Sequence, residues 1–221
     1  LTLQRLASWQ DHISNLNLVA TWNDAPILID VAVKPLQINP ELKADIRIDG
    51  IDLRAVSNVL PADISDFGAR LNVDIEVDVE RDSSGVLSAD VNGDIAVAEL
   101  ALNYRNLALS LAAFDWAGTL AVELQPQAPH YQLTGDVALK QLSLLDHQQA
   151  MALAAFDALQ LKALNVDPQV VSFQQLLLTD LAAVKAPQAA HYWLKQQQLQ
   201  LEQLDYQLGA PQPSLSLASI I

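Results

Sequence analysis

Between Leu71 and Glu80 the chain alternates without a fault. Leu71, Val73, Ile75, Val77 and Val79 are aliphatic, while Asn72, Asp74, Glu76, Asp78 and Glu80 are polar. An α-helix repeats every 3.6 residues and would scatter these aliphatic groups around its axis, whereas a strand places them all on one face. The pattern therefore predicts a half-buried antiparallel strand. Arg81-Asp82-Ser83-Ser84-Gly85 follows as a turn, after which Leu87, Ala89 and Val91 alternate against Ser88, Asp90 and Asn92. Together the two runs predict a β-hairpin, with Asp90 folded back near Glu76.

The same reading extends along the chain. Earlier strands are expected at Leu16–Trp22, Ile27–Val33 and Ala44–Ile48, punctuated by Pro26 and Pro40. Asp52 to Leu60 reads as a short helix with Asp52 as its N-cap and Pro61 as its stop. Later strands are expected at Thr119–Leu124, Tyr131–Leu139, Leu159–Val166, Val170–Leu178 and Gln198–Leu208. Leu145–Ala158 and Ala189–Gln197 are rich in Ala, Leu and Gln, good helix formers, and stay open between helix and strand. No Gly- or Ser-rich linker divides the chain. It is expected to be a single repetitive domain over residues 1–221, with sub-unit junctions near 126–129 and 187.

One spacing recurs. With φ for an aliphatic or aromatic residue, φ-x-φ-x-x-φ-x-φ appears as Ile46, Ile48, Ile51, Leu53 and as Ile95, Val97, Leu100, Leu102. It returns as Val137, Leu139, Leu142, Leu144, as Leu159, Leu161, Leu164, Val166, and as Leu199, Leu201, Leu204, Tyr206. Gly-Asp precedes two copies (Gly93-Asp94 and Gly135-Asp136), and Ala44-Asp45 the first. Two-residue steps keep side chains on one face; a three-residue step reverses the phase. Each such strand must bulge, so that the apolar face stays inward, or turn a corner onto another layer. Recurrence at intervals of 22 to 49 residues implies repeated units stacked along one axis.

Composition narrows the function. The net charge of -14 repels nucleic-acid phosphate and anionic lipid head groups at long range, and argues against nucleic acid as a partner. Charged residues are 17% and hydrophobic ones 51%, against about 25% charged in an ordinary soluble domain. The excess is either an Ala- and Leu-rich core or an apolar surface that meets something other than water. Unbroken apolar stretches such as Ala150–Phe156 fall far short of the ~20 residues a spanning helix needs. The chain begins at Leu1 with no signal-peptide pattern, and is expected to be a piece of a longer protein whose anchor lies outside it. Without cysteine there are no disulfides, thiol nucleophiles or Cys-based zinc sites.

Particular segments resemble a known family. Gly93–Leu102 (GDIAVAELAL), Gly135–Leu144 (GDVALKQLSL) and Leu159–Leu181, with its strand, Val-Asp-Pro, strand passage, resemble the AsmA-like proteins of Gram-negative envelopes, relatives of TamB-like and bridge-like lipid-transfer proteins. Asp52–Gly93 is similar too, in its amphipathic piece, proline, Gly68-Ala69-Arg70-Leu71 and long acidic-alternating strand. The resemblance covers most of Ala44–Leu181. It implies a periplasmic protein anchored in the inner membrane, whose strands curl into an open apolar groove along which phospholipid moves.

No residues point to chemistry. His12, His130, His147 and His191 lie far apart without metal-ligand spacing, and the ladder Asp74, Glu76, Asp78, Glu80 reads as a solvated face that discourages edge pairing. Trp9, Trp22, Trp116 and Trp193 are scattered, and there is neither a nucleophile elbow nor a phosphate-binding loop. The expected fold is mainly β: a long curved antiparallel sheet of repeated units, open or folded over, with a few short helices. A β-sandwich is the alternative. The chain is expected to be no enzyme and to need no cofactor or metal. Its expected partners are phospholipid, or another acyl-chain lipid, and other envelope proteins. The residues expected to contact lipid are Ile46, Ile48, Leu71, Val73, Ile75, Val77, Ile95, Val97, Val137, Leu139, Leu159 and Leu161. The competing reading is a structural or scaffolding β-domain that binds another envelope protein and packs the same residues into a core.

Overall fold

The computed structural model describes residues 2–4, 13–34, 40–125, 129–146, 152–184, 191–208 and 214–220. Its strands are β1 (Thr2–Gln4), β2 (Ser14–Trp22), β3 (Ala25–Lys34), β4 (Glu41–Asp52), β5 (Ile64–Arg81) and β6 (Leu87–Tyr104). They continue as β7 (Leu107–Leu124), β8 (Pro129–Asp146), β9 (Ala152–Val166), β10 (Val170–Ala183), β11 (Leu194–Gln207) and β12 (Ser214–Ile220). All twelve form one sheet in chain order, each antiparallel to the next. The first and last strands do not pair, so the sheet is open.

This is the expected long antiparallel sheet, and no β-sandwich forms. Substantial contacts run only between consecutive strands, apart from one 3-10 helix, Leu53–Val59, which packs on β5. That helix starts as expected, with the Asp52 carboxylate accepting the Arg54 backbone N–H at 2.9 Å. It is the only helix among the described residues, fewer than the sequence suggested. Ala152–Ala158 and Leu194–Gln197, left open between helix and strand, are both strand, because pairing with β8 and β10 outweighs helix propensity. Pro26 lies inside β3, near its start, rather than before it. Of the expected junctions near 126–129 and 187, Pro129 opens β8, while Pro126 and Pro187 fall outside the described residues.

The hairpin is longer and differently registered than expected. Its arms, β5 and β6, run to 18 residues each, and Asp90 stands opposite Asp78, while Glu76 faces Asn92. The turn closes on Asp82, whose carboxylate accepts the backbone N–H groups of Ser84 and Val86. A tighter connection joins β2 to β3, where Asn23 and Asp24 both have positive φ, as a two-residue type I′ turn requires.

The recurrent spacing has one structural meaning. In all five copies the second residue of the x-x step is left-handed: Gly50 (φ 71), Glu99 (φ 54), Gln141 (φ 51), Ala163 (φ 50) and Gln203 (φ 52). One left-handed residue reverses the phase, so the apolar face stays on one side. At Gly50, Glu99 and Ala163 the strand bulges, with an extra residue against its partner on β5, β5 and β8, whereas at Gln141 and Gln203 the register is unshifted and the neighbouring strands take the same three-residue step. Two further strands carry the device: Asp180 (φ 51) on β10, between Leu178 and Leu181, and Asp66 (φ 52) on β5, between Ile64 and Phe67.

Burial shows that the sheet curls without closing a core. Leu111, Trp116 and Leu178 are 6%, 8% and 8% exposed although no second layer of described residues covers them, and no described side chain is less than 2% exposed. The accessible surface is 14206 Å². A compact monomer of 24.0 kDa would expose about 9,900 Å².

Candidate functional site: a ribbed apolar face

Antiparallel pairing lines up residues across strands, and here it lines up apolar ones. One rib crosses eleven strands from β2 to β12: Ala20, Ile27, Ile48, Val73, Ile95, Trp116, continuing through Val137, Leu161, Leu176, Leu201, Ile220. Every member is aliphatic or aromatic. With strands ~4.8 Å apart, the rib is about 48 Å long.

Parallel ribs flank it. Ile51, Leu71, Val97, Phe114, Leu139, Leu159, Leu178 and Leu199 form one from β4 to β11. On the other side, Leu16, Val31, Ala44, Val77, Val91 and Leu120 lead through Leu133, Val166 and Val171 to Tyr206. All twelve residues expected to contact lipid lie on this one face. Ile48, Val73, Ile95, Val137 and Leu161 belong to the long rib. Leu71, Val97, Leu139 and Leu159 belong to its neighbour, Val77 to the third, and Ile46 and Ile75 to a row between. All twelve are half-buried.

That intermediate row carries a feature the sequence reading missed. Ile75 is followed across the sheet by Gly93, Gly118 and Gly135, in register on β6, β7 and β8. A Cβ on Gly118 would lie 2.0 Å from the Thr134 carbonyl oxygen, and on Gly93 2.1 Å from that of Asp74. Only glycine permits this approach. The row leaves a notch of about 400 Å³ between the flanking ribs. Val91, Leu120 and Leu133 wall one side, and Ile95, Trp116 and Val137 the other, with Phe114 beyond. The lining is wholly apolar.

The opposite face is charged. Lys43 pairs with Asp78 at 2.8 Å and Arg47 with Asp74 at 3.2 Å, so β4 supplies cations to the acidic ladder of β5. The Asp78 carboxylate holds the Lys43 ammonium above its ordinary pKa. On β8, Asp136 accepts Lys162 Nζ at 2.6 Å and is held below the usual carboxylate range, first by that bond and then by the Ala163 N–H. Among the described residues no three His, Asp or Glu side chains converge as metal ligands. Trp22 and Trp193 are exposed, at 45% and 69%, whereas Trp116, on the long rib, is 8% exposed.

No protein-family model, curated protein or solved structure matches the chain. The functional reading therefore rests on the geometry. The two faces differ: one carries the charged pairs, and the other is a continuous apolar surface that no second layer covers among the described residues. No helix among the described residues is long and apolar enough to cross a membrane.

Proposed function

We propose that this chain is a segment of an AsmA-like envelope protein that shelters acyl chains on its apolar face and contributes to phospholipid transport or outer-membrane homeostasis. The observation that carries the reading is the unbroken rib from Ala20 to Ile220. Each methylene that leaves water for such a track gains ~0.8 kcal/mol. Because neighbouring ribs are equally apolar, a chain can slide from strand to strand without meeting a polar barrier. Directional binding of a reactive group is not required. The resemblance adds the setting, a periplasmic protein tethered to the inner membrane by a segment outside this chain, acting with other envelope proteins.

The test is to purify the protein, extract it with organic solvent and identify what is released by mass spectrometry. Stoichiometric phospholipid, lost when Val73 and Val137 are both replaced by Asp, supports the proposal. A lipid-free monomer that binds no fluorescent fatty-acid probe overturns it in favour of a scaffolding domain.

A further inference from the structure

Antiparallel pairing also fixes which residues stand level with one another. Leu102, Leu109, Leu144, Ala154, Ala183 and Leu194 lie opposite one another in turn across β6 to β11. Just beyond this row the strands end in a rim of exposed apolar groups. Tyr104 closes β6, Leu145 stands one residue short of the end of β8, and Tyr192 and Trp193 lead into β11. Val59, on the helix that packs against β5, is 81% exposed, and Trp193 is 69% exposed. With strands ~4.8 Å apart, the rim is about 24 Å wide from β6 to β11. Trp22 is exposed at the same end, but it closes the shorter β2 and stands roughly 20 Å back along the strand direction. At the opposite end Tyr131 is the only exposed Trp or Tyr among the described residues.

The shape of the rim and its charge name its partner. A protein interface gathers its anchors at the centre of one patch. Here the anchors are strung singly along a line at one level, which suits an extended flat surface. Trp and Tyr join an apolar ring to a polar tip and favour the level where a bilayer meets water. The cations at the rim form no cluster. Arg54 pairs with Asp52 at 3.1 Å, and Arg105 pairs with Asp63 at 3.2 Å while its guanidinium lies 5.1 Å from the centre of the Tyr104 ring. Anionic head groups therefore find no basic patch, and the net charge of -14 repels them. A zwitterionic surface meets neither obstacle.

We propose that this rim docks the sheet on the interface of a zwitterionic bilayer, with Tyr104, Tyr192 and Trp193 seated among the head groups. The docking goes beyond the acyl-track reading and does not require it, because a rim can rest on a bilayer whether or not the apolar face carries lipid.

The test is co-flotation of the whole protein with phosphatidylcholine vesicles in a density gradient. The unmodified protein is expected to float. Trp193→Ala and Tyr104→Ala are each expected to weaken vesicle binding roughly three- to tenfold, and the double variant to remain at the bottom of the gradient. Trp22→Ala and Tyr131→Ala, which remove exposed aromatic groups away from the rim, are expected to float like the unmodified protein. Replacing part of the phosphatidylcholine with phosphatidylglycerol is expected to weaken binding at low salt. Absence of flotation overturns the docking, as does equal loss in Trp22→Ala or Tyr131→Ala, or a preference for the anionic vesicles. Flotation reads the docking and solvent extraction reads the track, so the failure of one is distinguished from the failure of the other.

Discussion

Asp136 Oδ1 accepts the backbone N–H of Ala163 at 2.9 Å, so a carboxylate on β8 clasps the left-handed residue of the bulge on β9. Asn72 does the same for Gly50 across β5 and β4, at 2.7 Å. In both cases a side chain on the unbulged strand satisfies a donor that the phase reversal took out of the ladder. Asp136→Ala is expected to lower stability by roughly 0.5–1 kcal/mol, discounted because water reaches the pair, and Asp136→Asn, which keeps an acceptor, by less. Urea unfolding of the three proteins side by side checks this.

The Asp136 clasp also sets a pH dependence. Its folded-state pKa lies below the ordinary carboxylate value, by the Lys162 bond first and the Ala163 N–H second. The unfolded chain therefore binds this proton more readily, and the stabilisation is present above about pH 4 and lost as pH falls through the lowered value. The gap in urea midpoint between the unmodified protein and Asp136→Asn is expected at pH 7 and gone by about pH 2.

Ala163 itself is strained. An L residue in the left-handed region costs roughly 1–2 kcal/mol, which glycine does not incur. Ala163→Gly is expected to raise stability by about 0.5–1 kcal/mol, after the flexibility that glycine adds to the unfolded chain. Ala158→Gly, in an ordinary extended stretch of the same strand, is expected to lower it by a similar amount. Thermal unfolding distinguishes the opposite signs.

Much of this was legible in advance. The alternation at Leu71–Glu80 gave the strand, its faces and its turn, and the five spaced copies foretold a phase reversal whose left-handed residues the structure supplies. Leu107–Gly118 was not read as strand because Ala112 and Ala113 break the alternation between Leu111 and Phe114. The glycine row was invisible along the chain, since Gly93, Gly118 and Gly135 become neighbours only through register. A signal did exist: Arg105-Asn106, a two-residue turn, lies midway between the first two glycines. Composition could not decide between core and open face, which depends on whether a second layer exists.

Gly118 tests the close approach of β7 and β8. A methyl group there would meet Thr134 oxygen at 2.0 Å and Gly135 Cα at 2.7 Å, both backbone atoms that cannot yield without parting the strands. Gly118→Ala is expected to destabilise the sheet by about 2–4 kcal/mol. Ala117→Gly, on the charged face next to it, is expected to fall by no more than about 1 kcal/mol. Calorimetry of both variants gives the comparison.

The central claim is that one face of the sheet meets lipid and the other does not. Site-specific photo-crosslinking in cells measures this directly, with a benzophenone amino acid at Val73 or Leu161 on the long rib, and at their sequence neighbours Asn72 or Lys162 on the charged face. Phospholipid adducts are expected at Val73 and Leu161 and not at Asn72 or Lys162. Adducts at all four positions, or protein adducts alone at Val73 and Leu161, would contradict the account.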